Sequence, residues 1–429
     1  MKNVLVISYY YPPMGMGGVQ RTAKFTKYLR AYGWQPYVLT VTPKRYLASD
    51  NCLLDEVEKA GVRIYRTGSK ESNGNGHKVV QFKNDSNRKF LSNLSQTFLI
   101  PDSKIFWKSK AVELGSRLIE ENNIELIYAT APPYTDFLTA VKLKEKYAIP
   151  VVLDYRDSWL DCPNNFYATP FHKNYHKKLE TEVLRAADKI ITINTRIKEL
   201  LLLKYPFKND EDIVVIEQGF DPEDFEKNNI FNKREKIRLT YSGSFLNYYT
   251  PKHFLDGLKM AVDKRPELKN KIEALFIGTF PPEYKNYIKE LGIESMVNIP
   301  GYLEHSLCIK YLMESDVLWM MINKTSRSDL HSTGKLYEYF GARKPLIACI
   351  PDGVARKSLE NHGAVKLTAP DDSHAIAAAV LEYYDLFEKG SMPVPNEELI
   401  TQYDRKRLTE NLAKEFDSVI MKLAEAVSG

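Results

Sequence analysis

VLVISYYYPPMGMGGVQRTAKFTKYLRAYGWQPYVLT, residues 4–40, reads as a strand, a glycine loop, a helix and a second strand. The apolar run Val4–Ser8 stops before Pro12-Pro13, which lack the N–H groups a ladder needs. Gly15, Gly17 and Gly18 follow, and Val19–Tyr32 then places Phe25, Tyr28 and Leu29 at helical spacing. Gly33 closes that helix, and Tyr37–Thr40 is the next apolar run. A glycine loop of this kind leaves N–H groups free at a helix N-terminus, where the dipole favours an anion or polar ligand. The glycines serve a plain chain reversal equally well. Their spacing is not G-x-G-x-x-G and no acidic residue closes the second strand at Thr40, which disfavours a dinucleotide site.

The same alternation continues through the chain. Strands are predicted at Val4–Ser8, Pro36–Thr40, Val62–Tyr65, Leu126–Thr130, Val151–Asp154, Ile190–Asn194 and Val214–Glu217. A second series follows at Leu239–Ser242, Ala274–Ile277, Val297–Ile299, Val317–Met321, Leu346–Cys349 and Gly363–Leu367. Helical stretches separate them, which implies an α/β class with parallel sheets covered on both faces. At 429 residues the chain is too long for one core, so two doubly wound domains are expected. The charged run Glu226–Arg238 reads as their linker, and Thr401–Val427 as a long amphipathic helix with no strand after it. Residues 69–95, polar and rich in Asn and Ser, read as a loop excursion.

Composition narrows the function. A net charge of +5 is too small to argue for nucleic acid. No apolar run approaches the ~20 residues of a membrane span, and the N-terminus enters a core strand without a cleavable leader. Cys52, Cys162, Cys308 and Cys349 are scattered without C-x-x-C spacing, which points to reduced thiols in a cytoplasm and to no zinc site. His172 and His176 lack a third ligand, and the D-x-D at Asp210–Asp212 sits in a charged loop, so no metal is expected.

Five motifs in order give the chain a resemblance. They are YYYPPMGMGGVQR near the start, DYRDSW at 154–159, QGFDPEDF at 218–225, YSGSF at 241–245 and GKLYEYFGARKPLIA at 334–348. The chain resembles the family 4 nucleotide-sugar glycosyltransferases of the B-type fold over nearly its whole length. The resemblance implies two Rossmann-like domains facing across a cleft, with acceptor bound by residues 1–220 and donor by 221–400. It also implies that the helix within 401–429 returns to the first domain, and that the reaction uses no cofactor or metal.

In this frame Gly334 lets a phosphate approach helix N–H groups, and Lys335 adds a point charge. The resemblance assigns ribose binding to Glu338, against the alternative of a carboxylate that merely stabilises a first helical turn. Gly17, Gly18, Gly243, Ser244, Ser332, Thr333 and Leu336 complete the expected donor set. Two departures stand out. Position 330, where the family carries a first glutamate, is Leu330, so either Asp329 or backbone amides around Ser332–Gly334 hold the sugar. No cation follows Gly243 before Lys252, although a leaving diphosphate needs one. Lys335, then Arg327, then Lys324 are the replacements in order of preference.

On the acceptor side, Arg156 and Asp157 follow a buried strand. They read either as a structural ion pair or with Asp157 orienting or deprotonating an acceptor hydroxyl. Tyr134 is either an aromatic wall for a sugar ring or a neighbour of the helix start. Residues 88–108 interleave basic, aromatic and aliphatic side chains, which suits a membrane surface or lipid-linked acceptor as well as a folded-back loop. The expected function is retaining transfer of a hexose-type sugar from a nucleotide-diphosphate donor to a glycan or lipid-linked glycan in surface-glycan assembly. A sugar-nucleotide epimerase and a non-catalytic binder share the architecture.

Overall fold

The computed structural model describes residues 1–15, 17–43, 50–68, 96–162, 165–226, 235–245, 249–325 and 327–428. The polar excursion at 69–95 and the first part of the basic aromatic stretch, 88–95, lie outside the described residues.

The chain forms two compact units. The first comprises Met1–Glu217 together with the chain from Arg405 onward, and the second is Gln218–Asp404. The boundary falls upstream of the charged run expected to be the linker, because Phe220 and Phe225 are buried in the second unit. A Cβ at Gly341 would meet Phe225 at 2.4 Å and Phe220 at 2.9 Å, so these rings pack directly on the backbone there.

The first unit holds β1 (Lys2–Ile7), β2 (Trp34–Val41), β3 (Arg63–Thr67), β4 (Leu126–Ala131), β5 (Val151–Tyr155), β6 (Lys189–Thr192) and β7 (Ile213–Val215). All pair in parallel, in the order β3-β2-β1-β4-β5-β6-β7. The second unit holds β8 (Ile237–Ser242), β9 (Ile272–Ile277), β10 (Val297–Gly301), β11 (Val317–Met321), β12 (Leu346–Cys349) and β13 (Val365–Thr368). Their order is β10-β9-β8-β11-β12-β13, again all parallel. Each predicted strand is present, with small shifts at the ends. β6 stops at Thr192 because Asn194 turns its side chain to cap the next helix, accepting from Ile197 N.

Burial of both faces explains the unbroken apolar runs: Val4–Ile7 and Val151–Leu153 are fully buried. The glycine loop runs into the helix Gly17–Leu29, whose last turn tightens to a 3-10 turn before Gly33, at φ +86°, reverses the chain. The tail is broken in two, Glu397–Thr401 and Arg405–Ser428. The break coincides with a bridge from Asp404 to Phe220 and a hydrogen bond from Phe220 N to Tyr403 O. The long segment returns to the first unit, where Leu408, Leu412, Phe416 and Val419 join a core with Val4, Trp34 and Tyr128. The Trp34 indole donates to Asp417, and Lys2 pairs with the same carboxylate.

Candidate functional site

In an open parallel sheet the ligand crevice lies outside the carboxyl ends of the two central strands from which the winding diverges. That point falls between β1 and β4 in the first sheet and between β8 and β11 in the second.

In the second unit, β8 and β11 pair only at Leu239–Val317 and Thr240–Leu318. Beyond this pairing the Tyr339 hydroxyl fills the gap, accepting from Ser242 N at 2.8 Å and donating to Trp319 O at 3.1 Å. This tie docks the helix Gly334–Ala342 at the crevice. Gly334 is exposed, and nothing lies within 4 Å of the Cβ it lacks, so the helix start is open. Thr333 stands at the N-cap position without a side-chain capping bond, its hydroxyl buried with no hydrogen-bond partner among the described residues. Leu336 is a correction to the expected donor set: its side chain is core, and its N–H donates to Thr333 O at 3.2 Å.

Lys335 lies across the crevice. Its Nζ donates to the Tyr241 hydroxyl at 2.5 Å and sits 4.2 Å from the centre of that ring. Gly243, at φ +140°, gives the lysine stem its place, since a Cβ there would meet Lys335 Cε at 2.1 Å. Gly278 approaches Gly243 O as closely from below, at 2.4 Å from its missing Cβ. Desolvation pushes the Lys335 ammonium down to about 8, although the Glu338 carboxylate opposes the shift. Ser244 Oγ accepts from Thr279 N, and Ser332 Oγ shares a hydrogen with the Tyr337 hydroxyl.

Glu338 sits one turn into the helix, half-buried, with Oε1 3.8 Å from His305 Nδ1. Arg327 pairs with Asp329 at 3.6 Å. A cavity of about 510 Å³ opens beyond them at the carboxyl ends of β11, β12 and β13, lined by Lys324, Asp329, Arg356 and Asp371 among others. Gly353 brings its loop within 2.7 Å, from its missing Cβ, of Asp329 Cα, which sets the cavity wall.

The first-unit crevice corrects two expectations. Tyr134 is only 5% exposed and stacks on Trp159 at 4.2 Å, so its faces are core surface rather than a sugar wall. Arg156 is buried and donates to the carbonyls of Ala131, Pro132 and Gly18, the last two at 2.6 and 2.5 Å. It therefore holds the glycine loop against the end of β4. Asp157 is exposed. Gly17 and Gly18 begin the helix, and a Cβ at Gly18 would lie 3.2 Å from Arg156 Nη1.

Sequence reasoning missed Asp136, which accepts from Tyr9 N at 2.8 Å and whose carboxyl is pushed well up by burial. It also missed the Arg21–Asp154 pair. Burial pushes the Asp154 carboxyl up, but the Arg21 guanidinium, 2.8 Å away, overrides this and holds it below the usual range. Arg21 continues to Ile216 O and Glu217 O, so it ties β5 to the end of the first unit. Of residues 96–108, Phe98 and Phe106 are each 75% exposed, whereas Trp107 is buried and donates to Thr67. No helix among the described residues is long and apolar enough to cross a membrane.

The sequence profile of Glycosyltransferase Family 4 matches residues 16–224. No curated protein matches in sequence. Among solved structures, a glycosyltransferase from Rickettsia africae is 15% identical, with TM-score 0.64 and 98% of each chain covered. An Anabaena protein solved with UDP-glucose is 14% identical, with TM-score 0.58 and all of both chains covered. A UDP-GlcNAc 2-epimerase from Neisseria meningitidis, bound to UDP-GlcNAc, is 12% identical with TM-score 0.58, covering 98% of this chain and 100% of its own. Residues 16–224 are thus similar to glycosyltransferase family 4, and the two-domain α/β architecture of the chain is the B-type glycosyltransferase fold.

Proposed function

We propose that the protein is a retaining glycosyltransferase moving a hexose-type sugar from a nucleotide-diphosphate donor to a glycan or lipid-linked glycan acceptor. The observation that carries this reading is one helix presenting an open N-terminus at Gly334, a cation at Lys335 and a carboxylate at Glu338 at the second-sheet crevice. The diphosphate takes the N–H groups at Gly334 and Lys335, with the unpartnered Thr333 hydroxyl beside them. Lys335 moves its ammonium from Tyr241 to the phosphate and meets the charge that grows on the leaving group. Glu338 accepts the ribose hydroxyls. The sugar extends toward the cavity at Lys324 and Asp329, and Asp329 stands in for the glutamate absent at position 330. Protein cations meet the leaving-group charge in this reading, so no metal is required.

Asp157 is the acceptor-side carboxylate, and the acceptor's hydroxyl attacks from the face the leaving group departs. The exposed Phe98 and Phe106 support contact of the 88–108 stretch with a membrane surface or a lipid-linked acceptor at the inner face of the membrane.

Thermal-shift measurements with UDP-, GDP-, dTDP- and ADP-sugars test the donor side. One nucleotide class is expected to stabilise the protein, and Glu338→Ala to remove most of that shift. An identical shift in the variant refutes the ribose role. Epimer formed from donor alone, with no acceptor, replaces transfer with epimerisation.

A further inference from the structure

The helix Pro170–Ala186 opens on a run of sequence that the donor and acceptor sites do not use. NFYATPFHKNYHKKL, residues 165–179, holds four aromatic rings, three lysines, two histidines and no acidic residue. Thr169 accepts from His172 N and Pro170 fills the first turn, so the chain itself fixes the helix start.

One of the four rings turns inward. Tyr167 donates to Trp159 O, and its ring meets the buried His176 edge-on. The other three face water: Phe171 is 73% exposed, Tyr175 41% and Phe166 40%. Phe171 and Tyr175, one turn apart, stack with ring centres 6.5 Å apart and form an apolar strip. Phe166 N donates to the Gln96 side chain at 2.7 Å, which sets this loop beside residues 96–98 and the exposed Phe98.

Lys173, Lys177 and Lys178 are exposed on the same helix start. The acidic groups around them are these. Glu180 is buried and accepts from the Tyr155 and Tyr205 hydroxyls. Asp161 accepts from Ser158 and Lys204. Glu182 lies 3.9 Å from Lys178 and offsets part of that one charge. Asp157 is exposed on the loop that leads in. Lys173 and Lys177 therefore stand beside the rings with no carboxylate between residues 165 and 179.

The lysines decide which partner fits. Protein interfaces favour aromatic rings and arginine but are depleted in lysine. A two-fold contact pairs a patch with itself, so a second copy would set these lysines against their own counterparts. A bilayer with anionic headgroups takes both parts: rings settle at the headgroup level, and ammoniums meet lipid phosphates.

We propose that the helix start from Phe166 to Lys178 is a docking surface for an anionic lipid bilayer. The inference rests on the reading of the protein as membrane-facing, and moves the main contact from 88–108 to this helix. Asn165 and Tyr167 both bond the carbonyl of Trp159, so the loop bearing Asp157 folds back toward the helix start. Docking then holds that loop near the level at which a lipid-linked sugar leaves the headgroups.

The test is cosedimentation of the full chain with phosphatidylcholine vesicles, with and without phosphatidylglycerol, at low and high salt. Wild-type protein is expected to bind the anionic vesicles, to be released by salt, and to leave neutral vesicles largely unbound. Lys173→Gln with Lys177→Gln should weaken binding about twentyfold, the scale of two lysines near a charged surface. Phe171→Ser with Tyr175→Ser should weaken it about tenfold or more. Val394→Ser, also exposed but in the second unit, should change nothing. All these side chains are exposed, so melting temperatures should stay at the wild-type value. If wild type binds neither vesicle, the membrane-facing reading fails and the inference with it. Phe98→Ser with Phe106→Ser separates the two contacts. Loss in that variant while both helix variants bind like wild type leaves 88–108 as the contact and overturns the helix surface. Loss in the helix variants alone upholds the helix surface and removes 88–108. A dimer in sedimentation velocity that Phe171→Ser abolishes, with no vesicle binding, overturns the inference in favour of a second copy.

Discussion

Replacing Tyr339 by Phe removes one oxygen from the junction of β8 and β11. That oxygen accepts from Ser242 N and donates to Trp319 O, and the side chain is 1% exposed. The variant takes the hydroxyl partner from both Ser242 N and Trp319 O, on residues that are themselves buried. A net hydrogen bond is worth about 1 kcal/mol, and an orphaned buried group costs about 1–3 kcal/mol more. The loss of stability should therefore be about 3 kcal/mol, roughly a hundredfold in the unfolding equilibrium. Tyr337→Phe is the matched control. Its ring is equally buried, and its hydroxyl shares a hydrogen with the Ser332 hydroxyl at a part-buried site, so about 1 kcal/mol is expected. Trp319 is the single tryptophan between residues 218 and 404, so its signal in fluorine NMR of fluorotryptophan-labelled protein reports the second domain's unfolding by denaturant. Equal losses in the two variants, or a loss under about 1 kcal/mol for Tyr339→Phe, would refute the argument that this hydroxyl holds the strands at the crevice.

Phe416→Ala empties a fully buried site between Trp34 and Tyr128 and should cost about 3–5 kcal/mol in the first domain. Met421→Ala, on the exposed side of the same helix, should stay within about 0.5 kcal/mol; comparable losses would show the helix is not anchored by its apolar face. Lys335, with its ammonium lowered to about 8, is charged below that pH and neutral above it, so nucleotide affinity should decline between pH 7.5 and 9. Lys335→Arg, always charged, should remove the decline, and a wild-type profile flat to pH 9 sinks the assignment. Stability without nucleotide has the opposite sign: between pH 8 and 10.5 the unfolded chain holds a proton that the folded chain has released, so this group's contribution rises with pH.

The strands were legible because buried parallel strands leave uninterrupted apolar runs between helices, and the second-domain helix was legible because Gly334, Lys335 and Glu338 lie within five residues. What stayed hidden depends on pairs far apart in the chain. Tyr134 looked like a surface aromatic because it follows Pro132-Pro133 at a strand end; Trp159, twenty-five residues later, covers it. Arg156 looked like the partner of its neighbour Asp157, and no local signal marks the carbonyl of Gly18 as its acceptor. Helix starts at proline were recoverable: Thr169-Pro170 is a cap followed by a first-turn proline, and a helix begins there.

The return of the C-terminal helix to the first domain has a consequence for synthesis. A ribosome completes β7 at Val215 but must make the entire second domain before Phe416 emerges. At roughly 5–20 residues per second, those two hundred or so residues take on the order of 10–40 s. Throughout that interval the first domain has its whole sheet but lacks the side chains that cover Trp34 and Tyr128. The second domain, continuous in the chain, is free to finish first. The nascent first domain therefore carries an open apolar groove in the cell, a target for chaperones, until the last turns of the chain close it.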